Sequence, residues 1–179
     1  MLFWILLCVE CLGLLSLFWS LYVPESRIWP PPSKYSWQFW FTWISVIVLT
    51  VGLILLGWQR SDPSGAMGSW NGIMGIVLVV SGLALAVAAI GNLGVDTSAG
   101  LKGNLITTGI YSYTRNPQYL GDIMIILGWC LIVSHWQVWL TGFLFACWFG
   151  VAPFVEETWL NKRFGGEYER YCEEVPRFF

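Results

Sequence analysis

Long apolar runs, separated by short polar stretches, set the pattern of this chain. Uncharged or nearly uncharged segments cover residues 2–23, 37–58, 69–91, 119–134 and 136–155. At 1.5 Å of helix rise per residue, each crosses most or all of a ~30 Å hydrocarbon core. The pattern therefore predicts an all-α integral membrane protein of about five transmembrane helices. Polar segments fall at 24–36, which contains Pro30-Pro31-Pro32, at 59–68, at 92–118 and in a tail from 156 to 179. Only Ser134-His135-Trp136 separates the last two spans, so these should form a tight antiparallel hairpin. The whole chain, 1–179, reads as one domain, with a three-span part over 1–91 and a more polar part over 92–179. No repeat is visible. The first span lacks a basic leader and a small-residue cleavage site, so it reads as a membrane span rather than a cleaved signal.

Composition agrees with the pattern. The chain is 56% hydrophobic and 11% charged, far from the roughly 25% charge of soluble domains. Thirteen Trp suit a protein with two headgroup interfaces, where indole buries its ring and keeps its N–H wet. Nine basic residues form no patch, so a nucleic-acid partner is not expected. Cys8 and Cys11 make a CxxC pair, but no second ligand pair accompanies it and His135 is the only His; neither a metal nor a disulfide is expected. If the spans alternate, eight of the nine Lys and Arg lie on one side, and only Arg60 on the other. The positive-inside rule then puts the third loop and the tail in the cytoplasm and the N-terminus outside.

The hairpin brings residues 116–122 close to Glu156 and Glu157 at its open, cytoplasmic end. Asn116-Pro117 combines a favoured N-cap with a favoured first helical residue, and so marks the start of the fourth span. A helix N-terminus offers free N–H groups and positive potential, and Arg115 beside it adds a cation suited to a carboxylate or phosphate. Glu156 and Glu157 end an apolar run with no Lys or Arg one turn on, so they need a partner elsewhere; Arg115 is the nearest candidate. Asp122, inside the fourth span, is a functional candidate by its position in the membrane, and Glu10 in the first span is a weaker one. Arg115, Asp122 and Glu156 are therefore the candidates for the chemistry, with Glu156 or Asp122 as a base. Gly103 and Gly109 can take positive φ or admit a ligand close to backbone. Tyr111, Tyr113 and Tyr119 can stack on a ring or belong to the interfacial belt. Gly68, Gly72 and Gly75 permit close helix packing.

Residues 105–121, L-I-T-T-G-I-Y-S-Y-T-R-N-P-Q-Y-L-G, are followed after the hairpin by E-E-T-W-L-N-K-R-F-G-G-E-Y-E-R-Y-C-E-E-V-P-R-F at 156–178. The two motifs and their spacing resemble the isoprenylcysteine carboxyl methyltransferases and the phospholipid (phosphatidylethanolamine) methyltransferases. The resemblance covers roughly 101–179. It implies a membrane methyltransferase that uses S-adenosylmethionine on a lipid or lipidated acceptor. Carried over by position, it implies cofactor binding by Gly103, Asn104, Leu105, Ile106, Tyr111, Asn116, Pro117, Gln118, Tyr119 and Glu157. The prenylcysteine enzymes have His at the position of Asn116 and an Arg shortly before the acidic pair, where this chain has Gly150-Val151-Ala152-Pro153. Those departures point away from a prenylcysteine carboxylate as acceptor. The run 115–122 and the late Tyr-x-x-x-V-P also resemble the NADPH-dependent sterol reductases, which are expected to carry a larger set of spans. A reductase and a non-catalytic membrane protein are the alternative classes.

Overall fold

A computed structural model describes residues 1–61 and 69–179. Among these it contains seven α-helices: α1 (Leu2–Tyr22), α2 (Trp37–Arg60), α3 (Trp70–Leu93), α4 (Val95–Ser98), α5 (Pro117–Val133), α6 (Trp136–Phe164) and α7 (Gly166–Glu174). The chain is an all-α, multi-pass membrane protein: α1, α2, α3 and α6 are long and apolar enough to cross a bilayer, and α5 is a shorter apolar helix of 17 residues. Gly68 lies outside the described residues.

Local chemistry fixes the element ends. Ser36 caps α2 by accepting from the N–H of Phe39, and Ser69 caps α3 by accepting from Gly72. At the hairpin, Ser134 takes the left-handed conformation at φ 50°, and His135 Nδ1 accepts from the Gln137 N–H to start α6. The helix α6 does not stop where its apolar run stops. It continues to Phe164, so at 1.5 Å per residue its 29 residues extend about 44 Å, beyond any single hydrocarbon core. Glu156 and Glu157 thus sit on a continuous helix, past the end of its apolar run. Gly165, at φ +55°, then turns the chain back so that α7 folds against the end of α6.

Helices in lipid gain little from hydrophobicity alone and associate through close packing. The tightest pair, α3 and α5, is built on four glycines in two facing sets. A Cβ on Gly75 would stand 2.6 Å from the Gly128 carbonyl oxygen, and one on Gly82 2.6 Å from that of Gly121. The early residue of one helix meets the late residue of the other, so the pair is antiparallel. Gly75 therefore serves internal packing. On the other flank α1 packs on α6 and α2 around Leu6, Leu17 and Phe145. Trp129 on α5 donates its indole N–H to the Leu53 carbonyl at 3.1 Å and ties α5 to α2. By contrast α2 and α3 share little packing, and the gap between them opens onto the membrane. Ile44, Ile47 and Val51 on α2 and Val77, Val80 and Val87 on α3 are exposed apolar side chains facing that lipid.

Candidate cofactor cleft and intramembrane cavity

At the charged end of the hairpin, three loops and α7 close around the start of α5. Pro117 is the first helical residue, as expected, and Asn116 precedes it. Asn116 does not cap the helix with its side chain. Its Nδ2 instead donates to the Arg177 carbonyl at 3.1 Å. The same carbonyl accepts from Thr114 Oγ1, and the Arg115 N–H donates to the Pro176 carbonyl at 3.0 Å. The C-terminal segment is strapped across the loop that leads into α5. Beneath it, Leu105 of the third loop packs with Leu160 and Phe164 against Tyr168, Tyr171 and Val175, and the Tyr171 hydroxyl donates to the Tyr111 carbonyl at 2.7 Å.

The wall of the cleft so enclosed includes Asn104, Leu105, Ile106, Tyr111, Arg115, Asn116, Gln118, Tyr119 and Glu156, together with Leu93, Thr97, Ser98, Leu160, Tyr168 and Tyr171. Most of the positions singled out from sequence thus converge on one space. Asp122 lines a second cavity instead, and three of the cofactor-binding candidates stand elsewhere. Pro117 is buried under the helix start. Gly103 lacks a side chain because Thr97 fills the space one would need, so its smallness serves packing of the third loop on α4. Glu157 turns away from the cleft: Arg177 grips it with Nε at 2.8 Å and Nη2 at 2.6 Å, and Arg115 Nη1 meets the same carboxylate at 3.1 Å. The partnership of Arg115 with the acidic pair is therefore formed, with Glu157 as the acid. Arg177, Tyr168 and Tyr171 escaped the sequence reading except through the Tyr-x-x-x-V-P pattern, whose Tyr is Tyr171.

Glu156 takes the opposite direction from its neighbour. Its Oε2 accepts from the Tyr119 hydroxyl at 2.6 Å, at the inner end of the cleft. Burial, followed by the nearby Glu156 charge, pushes the Tyr111 hydroxyl above its ordinary range, and burial does the same to Tyr168 and Tyr171. All three hydroxyls are neutral donors near neutral pH. The hydrogen bond to Glu157 raises the Arg177 guanidinium above its ordinary range. Arg115 is nine-tenths buried, with Nη1 shared between Glu157 and the Cys172 sulfur at 2.5 Å. Its Nε has no hydrogen-bond partner among the described residues. A buried cationic donor left open in a cleft wall is what an anionic ligand group would fill.

A second, larger cavity of about 580 Å³ adjoins the cleft, among the apolar helices. Apolar side chains of α2, α3, α5 and α6 line it, among them Val46, Leu53, Val79, Leu83, Ile126 and Phe149, with Trp29, Trp43, Trp129 and Trp148. Its polar exceptions are Thr42, Thr50, Ser98, Gln118, Tyr119 and Asp122. Asp122 makes no hydrogen bond to a described residue, and so neither orients Arg115 nor braces a neighbouring helix. The two cavities share Ser98, Gln118 and Tyr119. Among the described residues no cluster of His, Cys, Asp and Glu could hold a metal ion.

A helical membrane protein with a polar cleft seated on a lipid-facing cavity is the class that this arrangement defines. Residues 70–167, more than half of the chain, match the family described as phospholipid methyltransferase, and the chain belongs to that family. Among curated proteins it is 35% identical over 74 residues to a protein-S-isoprenylcysteine O-methyltransferase of Schizosaccharomyces pombe (40% of this chain, 31% of that one). It is also 34% identical over 84 residues to the Delta(14)-sterol reductase LBR of Gallus gallus (46% and 13%). A third relative, the steroid 5-alpha-reductase DET2 of Solanum lycopersicum, is 33% identical over 106 residues (59% and 41%). The chain thus matches less than half the length of each of these relatives. No solved structure matches it.

Proposed function

We propose that the protein transfers a methyl group from S-adenosylmethionine to a lipid or lipidated acceptor held in the membrane. The observation that carries this reading is the junction of a polar cleft and an apolar intramembrane cavity at Ser98, Gln118 and Tyr119. A reaction between a water-soluble donor and a membrane-bound acceptor needs two such compartments meeting at one point. The cleft's chemistry suits the cofactor: Arg115 Nε is a free donor for the amino-acid carboxylate, Glu156 accepts from an ammonium or ribose hydroxyl, and Tyr111, Tyr168 and Tyr171 offer aromatic faces.

When bound, S-adenosylmethionine supplies an electrophilic methyl whose bond to sulfur breaks as the acceptor atom bonds to it in line. The protein's task is to position, and to exclude water. Tyr119, held by Glu156, stands where donor and acceptor meet. Asp122, on the acceptor side and without a partner, receives the proton when the acceptor is an amine or alcohol. The gap between α2 and α3 admits the acceptor's apolar part sideways from the bilayer. The cleft, the third loop and the tail face the cytoplasm, and the N-terminus lies outside. Two relatives are named as sterol or steroid reductases, so a nicotinamide cofactor is the reading to test against. Thermal-shift titration of the detergent-solubilised protein should show stabilisation by S-adenosylmethionine and S-adenosylhomocysteine and none by NADPH. Stabilisation by NADPH alone would transfer the site to reduction, and a response to none of the three would leave a non-catalytic membrane protein.

A further inference from the structure

Arg177 lies ten residues beyond the matched family region and does not line the cleft, yet it makes the best-formed ion pair at the site. We propose that Arg177 is a positioning residue, acting through Glu157 to aim Arg115 at the amino-acid carboxylate of the cofactor. This rests on the reading of the cleft as an S-adenosylmethionine site.

Three observations support it. Strapping of the tail does not require the Arg177 side chain. Backbone atoms do that work, through the Pro176 carbonyl on the Arg115 N–H and the Arg177 carbonyl on Thr114 and Asn116. The Arg177–Glu157 pair, with Arg177 one-third exposed, is also weak evidence for stability, because solvent screening and desolvation both offset its attraction. Finally, the trio is arranged in order. Arg177 takes both oxygens of Glu157 in a fork, so Glu157 has only a single 3.1 Å contact left for Arg115, made to Nη1. The buried Arg115 Nε is thereby left without a partner, in a residue that lines the cleft. Two guanidinium groups and one carboxylate sum to one positive charge, which a ligand carboxylate neutralises.

Without Arg177, Glu157 would be free to take Arg115 in the same forked manner, neutralising it and drawing it from the cleft. Glu156 does not compete for Arg115, since its Oε2 is engaged by Tyr119. The contact of the Arg177 guanidinium with the Phe154 ring, 3.9 Å from its centroid, fixes the far side of the same group.

The test compares ligands that do and do not carry the carboxylate. Binding of S-adenosylhomocysteine and of 5′-deoxy-5′-methylthioadenosine to the full chain in detergent is measured by calorimetry for the wild type, Arg177→Ala and Arg177→Lys. The expected result is a roughly tenfold or greater loss of S-adenosylhomocysteine affinity in Arg177→Ala, with methylthioadenosine affinity unchanged, because one charged hydrogen bond is at stake. Arg177→Lys keeps the charge without the fork, and should lose part of that affinity for the same ligand alone. Equal losses for both ligands would make Arg177 a mere strap of the cleft and overturn the proposal, as would no loss for either. Should Arg177→Ala fail to fold, the Lys variant decides by the same comparison. A wild type that binds neither nucleoside would instead end the cofactor reading on which this one rests.

Discussion

Tyr119 lines both proposed compartments, as Ser98 and Gln118 do, and its bond to Glu156 fixes the direction of its hydroxyl. A hydrogen bond to a charged partner contributes about 1.5–3 kcal/mol, so Tyr119→Phe should lower kcat/KM roughly tenfold or more while leaving the fold intact. Steady-state methylation with tritiated S-adenosylmethionine, alongside the thermal midpoint, separates the two effects; unchanged kinetics would remove Tyr119 from the site. Tyr119, Arg115 and the acidic pair were all legible in sequence, because an intramembrane or membrane-edge polar group must have a reason to be there. Which acid faces the cleft was not legible. Consecutive helical residues point about 100° apart, so Glu156 and Glu157 serve opposite sides of α6, and nothing in their spacing orders them. Nor could the sequence show that Asn116 spends its amide on the Arg177 carbonyl, since that bond joins segments that only the fold brings together.

Element ends follow the same division between local and distant causes. Asn116-Pro117 marks a helix start that the structure keeps through Pro117 at the first helical position, although the Asn116 side chain does not cap it. The apolar run stops at Val155 but α6 continues to Phe164, because helix-forming residues run on through Lys162 and Arg163. The glycines of α3 and α5 were visible as small residues, but their pairing was not. Gly82→Val or Gly121→Val would push a side chain against backbone at 2.6–2.7 Å, where neither helix can yield locally. Overpacking of this kind costs about 1–3 kcal/mol, so each variant should melt several degrees lower in detergent. Gly91→Ala, with nothing within 4 Å of its Cβ, provides the control and should be neutral or slightly stabilising. Equal melting of all three would refute the tight α3–α5 seam.

At the scale of the whole molecule, charge and cavity placement must agree. Eight basic residues fall in segments that alternate spans place on one face, and the cleft lies between two of those segments, the third loop at Arg115 and the tail at Tyr168. If that face is cytoplasmic, the cleft draws on the cofactor pool of the cell, whereas the opposite orientation would seal it from any such pool. Orientation is thus a requirement of the proposed chemistry as well as a consequence of Lys and Arg counts. Exposed positions at the two ends make the requirement measurable. In a chain whose five native cysteines are replaced, a single Cys at Ser134, on the hairpin tip, should react with a membrane-impermeant maleimide in intact cells. A single Cys at Asp96 in the third loop, or at Glu173 on α7, should react only after the membrane is opened. The reverse pattern would put the cleft outside the cell. Since α5 and α6 form one hairpin, labelling of Ser134→Cys and Glu173→Cys from the same side would contradict the bundle itself.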